Sequence, residues 1–275
     1  MGTSSSYGGP GRGGSLLPPW ASEAAGEADT GGPSEASPTE ANEPAPSMTW
    51  AGAKGLLTRF GSSGGSRSDA GRTYLRSAVS GYVRAQRGAR AASKAASAGR
   101  RSTQALGGFL SALSANGPER ALAFVGLGEH VGSDATTLLG ALVDRLSSTA
   151  HGLEDNVARS AMTKTLYALF EERGVAVGGL DALRELSADD VRLVVEEYVA
   201  RYIDERLIQV MGDGLQALPM DEVVLRENEV WDYVRNAVHL DLQGVDVLTL
   251  DWASPQAVSL VERIFTEAHR LLENT

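Results

Sequence analysis

The sequence predicts an all-α fold: an irregular helical bundle preceded by a long disordered N-terminal tail. Three observations lead there. After Ser66, apolar residues recur at three- and four-residue spacing, the pattern of one buried helix face. Ser, Asp and Pro stand repeatedly where such segments begin, as helix caps and first-turn residues do. Before Ser66, Gly, Ser, Ala and Pro dominate, and there is too little apolar surface to offset the entropy of ordering. No fixed period recurs, so a bundle is expected rather than a repeat array.

These observations divide the chain into a tail, 1–66, and a helical part, 67–275. The helical part begins with a basic Ala/Arg-rich stretch, 67–117, and continues as an acidic core, 118–275. Charge follows the division. Glu23, Glu27, Asp29, Glu35, Glu40 and Glu43 are the only charges between Trp20 and Trp50, whereas between Lys54 and Arg101 the cations face Asp69 alone. The net charge of −10 over 275 residues argues against the whole chain being a nucleic-acid binder. The absence of cysteine excludes disulfides, thiolate metal sites and cysteine catalysis. No apolar run approaches the ~18 residues of a membrane span, and the first residues do not read as a secretory signal. The expected location is the cytoplasm, with no membrane partner.

Taken in order, Gly2 to Trp20 is a flexible arm, yet Tyr7 and the cluster Leu16-Leu17-Pro18-Pro19-Trp20 have no place in a bare linker. They read as an address at the tip with an anchor behind it. Pro33, Pro38, Pro44 and Pro46 forbid a continuous helix and make Ala21–Pro46 an extended spacer. Met48–Trp50 and Leu56–Phe60 are short apolar islands, either a docking motif or a strap on the folded part, and Gly61–Ser66 reads as a hinge.

Ser68 or Asp69 caps a helix through Tyr74, Leu75, Ala78, Val79 and Tyr82, running on toward Ser97 with Gly81 and Gly88 as weak points and a break at Gly99. The next carries Leu106, Phe109, Leu110 and Leu113 and stops at Asn116-Gly117. Pro118 opens a third, with Leu122, Phe124 and Val125. Ser133 or Asp134 caps Leu138–Leu146. A helix over 154–173 closes at Gly174, and a short one spans Leu180–Leu186. Ser187 followed by Asp189 and Asp190 opens the clearest amphipathic run, with Val191, Val195, Tyr198, Tyr202 and Ile203 inward. Further helices cover Asp221–Leu240 and the stretch from Ser254-Pro255 to Leu272, where Val258 belongs to the apolar stripe. Val245–Asp251 is an extended packed loop, since a strand would lack a partner.

The search for chemistry returns no Walker A, nucleophile elbow, zincin or EF-hand pattern. Gly126–Gly132 departs from a phosphate-binding loop. His130, His151, His239 and His269 lack metal-ligand spacing, so no catalytic residue, metal site or cofactor is assigned. The basic run is centred on Arg84, Arg87, Arg90 and Lys94. It reads as a patch for an acidic protein partner, with nucleic-acid phosphates as the competing reading.

The opening Met1-Gly2-Thr3-Ser4-Ser5-Ser6-Tyr7-Gly8-Gly9-Pro10, followed by Leu16-Leu17-Pro18-Pro19-Trp20, resembles the QatB family of bacterial Qat anti-phage defence systems. The layout behind it is also similar: low-complexity spacer, Ala/Arg-rich helix, acidic helical region. The resemblance implies partners, namely a QueC-like enzyme, a P-loop ATPase and a TatD-like nuclease, and it does not imply an enzyme. QueC-type enzymes use ATP to activate the carboxylate of a 7-deazaguanine for transfer to ammonia. Gly2, freed of Met1, would offer an unhindered α-amine in ammonia's place. Thr3, Tyr7, Gly8, Gly9 and Pro10 would be read beside it, while Leu16, Leu17, Pro18, Pro19 and Trp20 would anchor the tail on that partner. Met1-Gly2 with Ser6 also fits the pattern for N-myristoylation, although one acyl chain anchors only weakly. Two other readings are an unmodified scaffold joining the ATPase and nuclease, and a nucleic-acid-binding adaptor.

Overall fold

The computed structural model describes residues 48–147, 152–184, 186–240, 242 and 244–275. All of them belong to one unit, Ala45–Thr275. Gly2 to Trp20 lie outside the described residues. Among the described residues there are eleven α-helices and no strand. They are α1 Trp50–Ser62, α2 Asp69–Ala85, α3 Ala89–Ala95, α4 Ser97–Asn116, α5 Pro118–Phe124, α6 Ala135–Leu146, α7 Leu153–Arg173, α8 Val175–Gly178, α9 Ala188–Met211, α10 Met220–Ala237 and α11 Pro255–Glu273.

The first correction lies at 48–66, expected to close the tail as islands and a hinge. Thr49 caps α1, its Oγ1 accepting the Gly52 N–H at 3.1 Å, and Ala53, Leu57 and Phe60 are fully buried. Their spacing is that of a helix face. Trp50 packs edge-on against Tyr82 of α2, with ring centroids 6.0 Å apart. Gly61 is no hinge: it lies within α1 and faces the Leu215 and Leu218 side chains. The Gly/Ser turn is also held, because the Ser66 N–H donates to Glu229 Oε2 of α10 at 3.1 Å.

The second correction concerns Gly99; the weak point at Gly88 is where the run does break. The helical run breaks at Gln86–Gly88, where Arg87 and Gly88 take φ values of 70° and 90°. It breaks again at Ala96 and continues unbroken through Gly99. Gly99 is there for packing, since it faces the ring of Tyr202.

α9 is the central element and packs against α7, α10 and α4. Ser187 and Asp190 form its capping box. Val191, Val195, Tyr198, Val199, Tyr202, Ile203, Leu207 and Met211 are all buried along it. Each large side chain of this kind contributes about 1.5–3 kcal/mol on burial. Tyr202 meets Phe265 of α11 edge-on, centroids 5.5 Å apart, and its hydroxyl donates to Glu154 of α7. Arg206 Nε pairs with the same carboxylate at 2.7 Å.

Other caps fall where the sequence puts them. Asp134 accepts from the N–H groups of Thr136 and Thr137, Gly174 takes the left-handed conformation, and Ser254 precedes Pro255 at the first turn of α11. The segment expected as a helix over Leu180–Leu186 is a 3-10 turn, Gly179–Leu183. The loop after α10 contains no strand among its described residues. Trp252 holds it, donating from Nε1 to Ser111 Oγ of α4 at 2.8 Å, while Ser111 Oγ donates to the Val247 carbonyl at 2.7 Å.

Candidate interaction surfaces

The four predicted cations stand on one corner of the fold. Arg84 ends α2, Arg87 lies in the turn, and Arg90 and Lys94 belong to α3; all are exposed. α3 lies across the end of α11. The Ala89 N–H donates to Glu273 Oε2 at 3.2 Å, and Ser93 Oγ donates to the Glu262 carbonyl at 3.2 Å. Arg84 has a structural task as well, because its guanidinium donates to the Glu273 carbonyl at 3.2 Å. A cation at the C-terminal end of a helix is favoured there. Elsewhere four cations are held in ion pairs, Arg72 by Asp69, Lys54 by Asp213, Arg100 by Glu262 and Arg101 by Asp155, while Arg59, Arg67 and Arg76 are exposed. The structure thus shows which cations of the stretch are held in ion pairs. Sequence spacing could not do this, since most of the acids involved lie far away in the chain.

A second surface has no counterpart in the sequence reading. One face of α4 carries Ala105, Gly108, Ala112 and Ala115 along the floor of an open groove of about 720 Å³. One wall comes from Trp252 and Val258, the other from Phe124, Val125 and Leu146. Phe124 is 70% exposed and Val258 48% exposed. Helical periodicity alone places both inward. Periodicity finds the apolar side of a helix, but it cannot tell whether a neighbour covers that side. Gly107 lets the loop form the wall: a Cβ there would stand 2.4–2.5 Å from atoms of the Trp252 ring. The Arg145 guanidinium lines the far end and donates to the Val125 carbonyl.

The sequence profile of the family described as "Qat anti-phage system associated protein QatB" matches residues 88–272. The chain belongs to the QatB family. The matched span begins within the basic corner, after Arg84 and Arg87 and before Arg90 and Lys94, and runs from α3 into the end of α11, so the α4 groove lies wholly within it. The resemblance carried by the first twenty residues points to this same family, although those residues lie outside the match. A Qat component is therefore part of a multi-component anti-phage system. The chain is also 33% identical over 146 residues to the CRISPR-associated protein Cas7 of Haloferax volcanii, covering 46% of this chain and 42% of that protein. The chain thus spans less than half the length of that relative. No solved structure matches this chain. Among the described residues, no helix is long and apolar enough to cross a membrane.

Proposed function

We propose that this QatB-family chain is a non-enzymatic component of its defence system that presents its own N-terminus to a QueC-like enzyme. The helical unit docks that enzyme. The tail delivers the Gly2 amine for ATP-dependent conjugation to a deazaguanine-like base, with Leu16–Trp20 anchoring it on the partner.

The α4 groove carries this reading. It is an open apolar surface inside the family span, rimmed by a phenylalanine that contributes little to the core. An exposed aromatic ring, Phe124, beside a small-residue floor favours a protein partner, for which such side chains are frequent anchors. The basic corner gives the same partner an electrostatic guide. The tail chemistry rests on the residues themselves. A glycine amine has no side chain to hinder attack, and an α-amine titrates near ~7.7–8.0, which leaves a nucleophilic neutral fraction near neutral pH.

The test is the mass of the N-terminal peptide, purified with and without the QueC-like partner co-expressed. A base-sized adduct that appears only with the active partner is the expected result. Loss of Met1 alone, with the complex intact, would instead favour an unmodified scaffold joining the ATPase and the TatD-like nuclease. A fatty acyl mass would favour the lipid reading.

A further inference from the structure

The α4 groove has a shape and a charge that narrow what it can hold. Its floor follows α4 from Gln104 to Asn116. At ~1.5 Å per residue that is roughly 18 Å, or about three helical turns. Ala105, Gly108, Ala112 and Ala115 carry nothing larger than a methyl group along it, so the backbone of an occupant can come close. The floor gives an extended peptide little to hold. The helix satisfies its own backbone groups, and among the described residues no strand offers an edge to pair with. A second helix brings its own backbone hydrogen bonds with it, so a helix laid along the groove is the favoured occupant.

The other observation is electrostatic and independent of the apolar walls. Two charged residues line the groove, Asp251 and Arg145. Asp251 is engaged locally, its Oδ1 accepting the Ala253 N–H at 3.0 Å. Arg145 is exposed and donates from Nε to the Val125 carbonyl. Its guanidinium has no acid partner among the described residues, and the neighbouring Asp144 is committed to Arg159. The far end of the groove therefore presents an unpaired guanidinium, whose planar fork suits a carboxylate.

We infer that the α4 groove receives an amphipathic helix of the partner enzyme, about three turns long. Large apolar side chains of that helix, at i, i+3 or i+4 and i+7, fill the hollow over the small-residue floor. An aspartate or glutamate at one end of it meets Arg145. Phe124 and Val258, on opposite walls, cover its flanks. The inference rests on the reading that the helical unit docks that enzyme, and adds which element docks and which charge it carries.

The experiment places photoreactive p-benzoylphenylalanine at position 124 of the full chain, co-expressed with the QueC-like enzyme, and maps the crosslinked peptide by mass. Phe124 is 70% exposed, so the replacement should not disturb the fold. The expected product is a single segment of the enzyme with helical apolar spacing and an acid beside it. Affinity of the complex without the photoprobe is then measured at several salt concentrations. Arg145→Glu should weaken it about tenfold, and Arg145→Lys less than about threefold. Lysine in place of the acid in the crosslinked segment should restore binding to Arg145→Glu but not to the native chain, which separates an ion pair from damage to the fold. Crosslinks to a segment without helical spacing, to Leu16–Trp20 of this chain or to a second copy would overturn the inference, as would equal affinities for the native chain and Arg145→Glu. An intact complex with no crosslink from position 124 would overturn it while leaving docking in place. Absence of any complex would remove the docking reading and the inference with it.

Discussion

Gly99 of α4 lies so close to Tyr202 of α9 that a Cβ at position 99 would stand 2.8 Å from three atoms of the tyrosine ring. The ring cannot retreat easily, because Phe265 meets it from α11 and Glu154 holds its hydroxyl. Gly99→Ala therefore sets about 1 kcal/mol of helix propensity against an overpacking cost of roughly 1–3 kcal/mol. We expect a net loss of up to about 2 kcal/mol in urea unfolding. Gly140 lies in the middle of α6, and a Cβ added there would meet nothing within 4 Å. Gly140→Ala should change stability in the opposite direction, by about 0.5–1 kcal/mol.

This pair also marks how far the sequence can be read. Caps are local, so Ser68, Asp134, Ser187 and Ser254 are legible within a few residues. Gly99 reads as a helix break because its reason for being glycine, Tyr202, lies more than a hundred positions away. The segment 48–66 misleads for the opposite reason. Its glycines and serines mask the helical spacing of Ala53, Leu57 and Phe60, whose partners come from α2 and beyond. For the surfaces, the four exposed cations are legible as a group. The role of Arg84 on the Glu273 carbonyl is not, and neither is the opening beside Phe124. Both depend on which helix end or which uncovered face happens to be adjacent.

Two buried titrating groups give the stability a defined pH profile. Burial raises Asp204 to about 8; Glu205 and Glu227 act in the same direction, and Lys164 and Arg201 oppose it. Burial lowers His269 to about 4; the Phe265 carbonyl, 2.6 Å from Nδ1, opposes this, and Arg206 adds to it. Unfolded, the two titrate near ~3.9 and ~6.5. From about pH 4 to 8 the native state holds a proton on Asp204 that the unfolded chain has lost, so this group makes stability fall as pH rises. From about pH 4 to 6.5 the unfolded chain protonates His269 and the native state does not, so that group makes stability rise. The two contributions cancel below about pH 6.5, and a decline of roughly 1–2 kcal/mol follows toward pH 8. Asp204→Asn should remove that decline and expose a rising limb below pH 6.5. Urea unfolding at several pH values checks both, and an unchanged slope in the variant would contradict the assignment.

The basic corner separates structure from recognition. Arg84→Gln removes a donor from the end of α11 and should cost about 0.5–1 kcal/mol. Arg87→Gln, Arg90→Gln and Lys94→Gln together should leave stability within about 0.5 kcal/mol. The triple variant should associate more slowly with an acidic partner surface, with a weaker dependence on salt. Nucleic-acid binding should be negligible in both proteins. Strong salt-sensitive binding of DNA or RNA by the native chain, lost in the triple variant, would show that the corner serves phosphates.

Docking and presentation should be separable by mutation. Phe124→Ser removes the exposed rim of the α4 groove, and because the ring is 70% exposed the fold should tolerate it. Capture of the QueC-like partner should weaken by about 1–3 kcal/mol if this ring is an anchor. Leu17→Ala with Trp20→Ala should instead release the tail while the helical unit stays bound, a loss of about 2–4 kcal/mol in tail capture. About fourteen positions lie between Gly2 and the anchor; at ~3.3 Å each they span roughly 45 Å, enough to enter a neighbouring active site. Gly2→Pro should leave both contacts intact and abolish the adduct, since its ring nitrogen is a hindered secondary amine. Pull-down with the partner, tail-peptide binding and N-terminal mass together resolve the three steps. Full phage protection by Gly2→Pro, with no N-terminal adduct on the native chain during infection, would remove amine presentation from the mechanism and leave the groove as the function.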